Sequence, residues 1–521
     1  MYMSLILLNV VVGGCVVLVR RYNLLSHLFT VLLRLRYPIR DIETGRSLPT
    51  LPFVFPNGQG NIEKYIYGRQ NSLKWGLEYG PLYRIWSGFH GEMLVPTHAF
   101  SFTRPADIEA VFRDSHTHLK ANANDSGYLM HQLLGSCLGL VSGAEWKAIR
   151  RATEPPFVRT ATESQVQAVE GYAKEHVESL FSSKPGSDSP TRTQLHPHAD
   201  LRVYPFLALA EILYGGLTPE LKARLLAIIP GRDSVFRSII VGGLTRFPIS
   251  RFLPLPALRE LWDFKKAWAC WNDDAHAEAL RKSESGETRG AAPIVQMYAS
   301  VEEGSMSREA LLQTLDEMLF ANLDVTIGGL AWALVFLAAD PQAQSKLRDQ
   351  IRTEMASEDG RSAYLMSQSN YLHHILLESG RLRPVAAFSV SQSCPTPRRL
   401  GNFVFPAGTK FVVDANALNV RDPLWAPDNT AFRPERWQEG GVQRAKDVRY
   451  CYWRFGFGPR VCLGKYVVDL MMKALIVELV RGFELKLEDV EGKAWAWEQD
   501  TWALDPAMRI ACVRRSEERA R

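Results

Sequence analysis

The first nineteen positions, Met1 to Val19, carry no charged side chain, and Arg20 and Arg21 follow directly. At 1.5 Å per residue a helix over that stretch spans about 28 Å, close to the hydrocarbon thickness of a bilayer. A cleaved signal peptide has a basic segment ahead of its apolar run, and here none precedes it. Residues 1–19 therefore read as a transmembrane anchor. Arg20, Arg21, Arg34, Arg36 and Arg40 behind it leave the body of the chain on the cytosolic side. Leu24 to Leu35 is a second apolar stretch, broken by His27 and Arg34, and suits the membrane surface. Pro49, Pro52 and Pro56 stiffen the sequence Ser47 to Gly60, so residues 20–56 form a basic, proline-rich linker ahead of a single globule, 57–521. From there to about Leu382 the apolar period is helical, as in Phe206 to Leu213 and Leu311 to Leu337. The second of these is long, mostly apolar and free of proline, and predicts a helix buried across the molecule. Polar linkers, Ser182 to Thr193 and Glu284 to Gly290, interrupt the pattern. Strand-like alternation comes late, at Asn402 to Ala415, with Pro406-Ala-Gly408 as the turn of a hairpin. The chain closes with a helix, turn-rich sequence and a charged tail, Arg514 to Arg521. The pattern is that of a mainly α protein with small β-sheets.

Composition narrows this reading. With 46% apolar and 22% charged residues the chain can bury one large core, and extensive disorder is excluded. The net charge of +5 is mild and the arginines form no blocks, which argues against a nucleic-acid partner. The seven cysteines, Cys15, Cys137, Cys270, Cys394, Cys451, Cys462 and Cys512, are scattered and odd in number. They outline no disulfide framework and suit a reducing compartment.

The chemistry concentrates in Phe455 to Gly464, Phe-Gly-Phe-Gly-Pro-Arg-Val-Cys-Leu-Gly. One cysteine, Cys462, lies in a glycine-rich loop two positions after Arg460, with the apolar run Tyr466 to Leu479 close behind. Backbone N–H groups freed by Gly458 and Gly464, with the positive end of the following helix, favour a thiolate. Iron held by a single cysteine is haem iron, because zinc and iron–sulfur sites need several ligands at short spacing. A nucleotide loop is excluded, since Val461 occupies the third glycine position of a dinucleotide fingerprint.

Through Phe455, Gly458, Arg460, Cys462 and Gly464 the loop is similar to the haem-binding signature Phe-x-x-Gly-x-Arg-x-Cys-x-Gly of the cytochrome P-450 family. Other segments carry the same resemblance in order along the chain. Tyr79-Gly-Pro-Leu-Tyr83 looks like the turn into that family's first sheet. Trp146 and Arg150, four apart on one helix face, are both donors suited to a carboxylate, and the resemblance implies that they meet haem propionates. Glu378-Ser-Gly-Arg381, ended by Pro384, resembles the family's Glu-x-x-Arg helix, and Phe432-Arg-Pro-Glu-Arg436-Trp437 resembles the segment whose arginine completes an ion network. Glu378, Arg381 and Arg436 are thereby assigned the structural task of holding the Cys462 loop. After Pro384, where members of the family often have a further arginine, Val385 to Pro397 has none; Gln392 or a serine is left as a stand-in.

The oxygen site departs from the family. Ala321-Asn-Leu-Asp-Val-Thr326 stands where Ala-Gly-x-Asp/Glu-Thr-Thr/Ser is usual, so Asn322 replaces the glycine and Val325 the first threonine, which normally helps deliver protons to oxygen. Thr326 does not simply substitute, because one residue turns a helix by about 100°. Asp324 remains as a proton relay, and Asn322 adds a hydrogen bond or narrows the pocket.

The resemblance implies a triangular helical domain with a minor β region, haem b, O2, and electrons from NADPH through a separate NADPH-cytochrome P-450 reductase, since nothing resembles a flavin or nicotinamide domain. Arg433, Arg436, Arg444, Lys446, Arg449, Arg454 and Lys465 offer a docking surface for that acidic partner. It further implies a single-pass protein of the endoplasmic reticulum membrane, in contact with lipid, that oxidises a small organic molecule by hydroxylation or oxidative cyclisation. The variant segment at Ala321 to Thr326 looks like fungal natural-product enzymes, including those modifying cyclic dipeptides of the gliotoxin type. Two other readings stay open: a reductase-independent haem-thiolate isomerase or dehydratase, and a non-catalytic haem-binding protein.

Overall fold

The computed structural model describes residues 24–54, 57–90, 95–182, 194–287, 290–439, 448–488 and 505–515. The anchor Met1 to Val19, Arg20, Arg21, Pro56, most of the Ser182 to Thr193 linker, Arg444, Lys446 and the tail beyond Arg515 lie outside the described residues.

Helices dominate. The helix Leu24–Arg36 forms as its apolar spacing predicts, and one face stays bare: Leu24, Leu28, Val31, Leu32 and Leu35 are all exposed. Helix Gly68–Tyr79 ends at Gly80, whose φ of 82° turns the chain into the first strand, Leu82–His90, where the Tyr79 to Tyr83 segment placed it. That strand opens a five-stranded sheet whose spatial order is Leu82–His90, Val95–Phe102, Lys410–Val413, Gln392–Ser393 and Leu119–Lys120. Its aromatic core packs edge to face, with Phe100 and Phe405 ring centroids 4.7 Å apart.

The hairpin expected over Asn402 to Ala415 does not form. Phe403–Phe405 pairs backward onto Arg398–Leu400, whereas Lys410–Val413 joins Val95–Phe102 in parallel and Gln392–Ser393 antiparallel. The turn at Pro406 exists, with the Thr409 N–H on the Pro406 carbonyl at 3.3 Å, but it hands the chain from one sheet to another. Alternation reports which face of a strand is buried and carries no information about its partner.

The long apolar helix is present and bent. Arg308–Phe320 gives way to a tighter turn, Ala321–Leu323, and helix resumes at Val325–Ala339 after Asp324, whose φ of −124° leaves the helical range. The cause is a side chain in the backbone ladder: Asn322 Nδ2 donates to the Met318 carbonyl at 2.6 Å, and Asn322 Oδ1 accepts from Thr326 Oγ1 at 2.6 Å. Beyond the bend Leu330, Ala331, Ala333, Leu334, Val335 and Leu337 are fully buried. Among the described residues Arg308–Ala339 is the one helix long and apolar enough to cross a membrane, but 78% of its most apolar window is buried inside the protein, which makes it a core helix.

Helix Tyr371–Leu382 packs against the final long helix, Lys465–Gly482. Between them His373 Nδ1 lies 3.8 Å from Asp469, and burial lowers the histidine pKa to about 3 despite the carboxylate. The folded state thus binds this proton later than the unfolded chain does, so stability is full above the ordinary histidine pKa and falls as pH drops from about 6.5 toward 3. The loss is on the order of 1–2 kcal/mol by pH 5. Thermal melts between pH 7.5 and 5 should show a shallower decline for His373→Gln than for the unsubstituted protein; parallel declines would contradict this.

Candidate active site

The loop before Cys462 is shaped by aromatic packing and by close approach. Phe112, Trp453 and Phe457 form a cluster, with the Trp453 and Phe457 centroids 5.0 Å apart. Gly458 has a φ of 70°, and a Cβ there would fall 2.1 Å from Ser115 Oγ, so only glycine fits both the turn and the neighbour. The Cys462 N–H closes the loop on the Phe455 carbonyl at 2.9 Å. Of the two glycines expected to favour a thiolate, Gly464 does so, because its backbone N–H bonds to the sulfur and lowers the pKa. Gly458 contributes shape. Arg150 and Arg454 also pull the pKa down, but desolvation outweighs them and the thiol stays above its ordinary value. Cys462 is nevertheless exposed. Accessible and desolvated at once describes a group on the wall of an enclosed cleft. Arg454 is held by Asp469 at 2.5 Å and lies over the Phe455 ring at 4.4 Å, so the loop carries its own cation beside the sulfur.

Trp146 and Arg150, on helix Gly143–Thr153, come together with Arg460. The Arg460 guanidinium stacks over the Trp146 ring at 4.9 Å and donates to the Val141 carbonyl at 2.5 Å. Arg150 reaches the Val461 carbonyl at 3.4 Å and pairs with Glu154 at 2.6 Å. The sequence did not reveal Lys120. Its short strand lies in register with Gln392, and burial together with the nearby Arg460 charge lowers its pKa to about 7. Lys120 thus puts a cation on the strand that pairs with Gln392, and a lone lysine in a two-residue strand gives no sequence signal.

Glu378, Arg381 and Arg436 form the expected network, wholly buried. Arg381 grips Glu378 through two bonds of 2.8 and 2.9 Å, and Arg436 Nε donates to Glu378 Oε1 at 2.9 Å. The Trp437 indole and the Arg433 backbone N–H also donate to Glu378, at 3.0 and 3.1 Å. Transmission to the loop runs through Asn419, which sequence reading missed. Its carbonyl accepts from Arg381 at 3.1 Å, and its side chain brackets Trp453, accepting from the N–H at 2.7 Å and donating to the carbonyl at 2.8 Å. Tyr452 adds a bond to the Leu377 carbonyl at 3.0 Å.

Across the cleft stands the bent helix. Val325 is 36% exposed, and Ala321 and Glu317, four and eight residues before it, are part-accessible. Asn322 and Thr326 point elsewhere: they are buried and bonded to each other, so Asn322 adds a hydrogen bond rather than narrowing the pocket. Asp324 meets Arg202 at 3.4 Å, and Arg202 holds Asp233 at 2.8 Å. His198, whose pKa burial lowers to about 4, feels the Asp324 charge and lies 3.3 Å from Asp505.

The sequence profile of the cytochrome P-450 family matches residues 50–498. The chain belongs to the cytochrome P-450 family. It is 40% identical over 494 residues to the cytochrome P-450 monooxygenase asaD of Aspergillus flavus, covering 95% of this chain and 92% of that protein. It is 41% identical to aclC of Aspergillus oryzae, with 93% and 95% covered, and 34% identical to gliC of Aspergillus fumigatus, with 94% of each covered. Each of these two is likewise named a cytochrome P-450 monooxygenase. Membership implies haem as prosthetic group, and the donor set fits it. A flat macrocycle with two carboxylates needs a thiol, apolar surface and cationic or indole donors, and the chain supplies Cys462, Val325 with Ala321, and Trp146 with Arg150, Arg460 and Lys120.

The basic docking surface shrinks on inspection. Arg436 and Arg454 are committed to buried ion pairs and cannot receive a partner. Among the described residues Arg433, Arg449 and Lys465 remain within reach of solvent.

Proposed function

We propose that this chain is a haem-thiolate monooxygenase that uses O2 and electrons delivered from NADPH by a separate reductase to oxidise a small organic molecule in fungal natural-product biosynthesis. The reading rests on one observation above all, the accessible yet enclosed Cys462 thiol at the start of the Lys465–Gly482 helix. Cys462 would ligate the iron, Trp146, Arg150, Arg460 and Lys120 would hold the propionates, and Phe455, Gly458 and Gly464 would shape the loop. Bound there, haem supplies the stepwise reduction and cleavage of dioxygen.

This chain's own residues then have three tasks. Val325 and Ala321 offer apolar surface that would exclude water from the oxygen site. Asp324 would hold or release a proton at its carboxylate, which Arg202, itself paired with the half-buried Asp233, positions. Arg433, Arg449 and Lys465 receive the reductase, and the bare face of Leu24–Arg36 lies on the membrane of the endoplasmic reticulum behind the anchor at 1–19. The segment Ala321 to Thr326 supports a cyclic dipeptide as the substrate class, hydroxylated or oxidatively cyclised.

Val325→Thr tests the departure at the oxygen site. Haem content should hold, while the fraction of NADPH electrons recovered in product changes several-fold; unaltered coupling would remove this position from the mechanism. The absence of a hydroxyl at Val325 also favours a second reading, a reductase-independent isomerase or dehydratase. Turnover that persists without NADPH and reductase would select it.

A further inference from the structure

An acid stands on the wall of the substrate cleft, and neither the fold nor the oxidation chemistry described so far requires it there. Glu317 lies two four-residue steps before Val325, and its side chain is part-accessible while Gln313 to Asp316 and Leu319 to Phe320 are buried. Its charge is felt at Cys462, at Arg460 and at Lys120, so the carboxylate lies near all three. Its conformation is fixed. Oε2 accepts the Gly139 N–H at 2.9 Å, the Cys137 thiol bonds to the same carboxylate, and a Cβ on Gly139 would fall 1.8 Å from Oε1.

Holding the Ser136 to Gly139 loop does not need a charge. Gln313 and Thr314, neutral residues on the preceding turn, already accept the Ser136 and Leu138 N–H groups at 2.7 and 3.1 Å. Burying a carboxylate costs stability unless it is paired, and desolvation raises the Glu317 pKa. The cations that would neutralise it, Lys120 and Arg460, are those the porphyrin carboxylates would claim. A carboxylate has room for about four hydrogen bonds, and Gly139 and Cys137 take two.

We propose that Glu317 is a substrate-anchoring residue: its carboxylate accepts a hydrogen bond from an N–H group of the substrate and thereby sets which carbon faces the iron. An acceptor this strong favours N–H over an ether or ester of similar shape, which would leave it unpaired. The proposal deepens the monooxygenase reading and rests on it for the position of the iron. A lactam N–H, as in a cyclic dipeptide, meets the requirement.

The test is calorimetric binding to the haem-loaded protein, comparing the unsubstituted chain with Glu317→Leu and Glu317→Gln. The probes are the cyclic dipeptide of phenylalanine and alanine with its N,N′-dimethyl derivative, and the fragments oxindole and N-methyloxindole. Haem content and imidazole affinity report on the integrity of the pocket. Glu317→Leu should weaken the N–H-bearing member of each pair roughly ten- to a hundredfold, leave the methylated member unchanged, and be largely rescued in Glu317→Gln, which keeps an acceptor oxygen. Equal losses for both members would mean that Glu317 only supports the loop, and would overturn the proposal. If the dipeptide does not bind the unsubstituted protein, the cyclic-dipeptide reading falls and the oxindole pair alone decides. Failure of the unsubstituted protein to prefer oxindole over its methylated form would then overturn the role of Glu317.

Discussion

Cys462→Ala is expected to abolish the strongly red-shifted Soret band of the reduced, carbon monoxide-treated protein, and all oxidative turnover with it. No other side chain described around the cleft can take its place. Cys137 is fully buried and tied to Glu317, and Cys394 lies against His118 at 3.4 Å. Alanine also removes the acceptor for the Gly464 N–H, while leaving the loop closure between Cys462 N–H and Phe455 carbonyl intact. The protein should therefore fold and keep its helical content. If purified Cys462→Ala retains porphyrin with an unaltered spectrum, the assignment of the iron ligand fails.

The second large effect is structural. Glu378→Ala should destabilise the protein by about 3–5 kcal/mol, because it leaves two fully buried guanidinium groups, Arg381 and Arg436, without their shared carboxylate. Five donor groups converge on that one side chain, two from Arg381 and one each from Arg436, Trp437 and the Arg433 backbone. The damage should reach the active site by a definite route. Loosened Arg381 no longer fixes the Asn419 carbonyl, and Asn419 no longer holds Trp453, two residues before Phe455. Chemical denaturation should show the loss of stability, and haem occupancy should fall in parallel. Asn419→Ala separates the two effects: it breaks the link to Trp453 but strands no charge, so haem occupancy should drop with a smaller stability loss. Full occupancy in both variants would disconnect the network from the loop.

Local chemistry was legible wherever a residue's role depends on its near neighbours. The Cys462 loop, the Trp146 and Arg150 pair, and the Glu378 and Arg381 pair all sit as their spacing implied, since three- and four-residue helical steps and a glycine turn are short-range geometry. The Arg436 contact, fifty-eight residues from Glu378, was legible only through the family's motif. Lys120, Asn419 and Arg202 were missed, because each acts on a partner brought near by the fold alone. Glu317 was missed for a different reason. It was reachable by counting back along the helix from Val325, but the bland surroundings of a predicted core helix gave no cause to count. The same stretch was read as one helix across the molecule, whereas the Asn322 side chain enters its ladder and a bend divides it. The basic cluster was overread, since sequence cannot tell a solvated arginine from one sealed in an ion pair, as Arg436 and Arg454 are.

By itself, the sequence determined the class of the protein, the identity of its reactive thiol, the helical character of the chain and the departure at Val325, because these reside in residue type and short spacing. Tertiary structure alone decided which side chains share the cleft with that thiol. The turn at Pro406 changes sheets and seats Lys410–Val413 beside the Gln392 strand, which in turn pairs with that of Lys120, and past the bend at Asn322 the Asp324 carboxylate meets Arg202. Both outcomes depend on long-range packing, in which the energy of a contact is set by what the rest of the fold places opposite it.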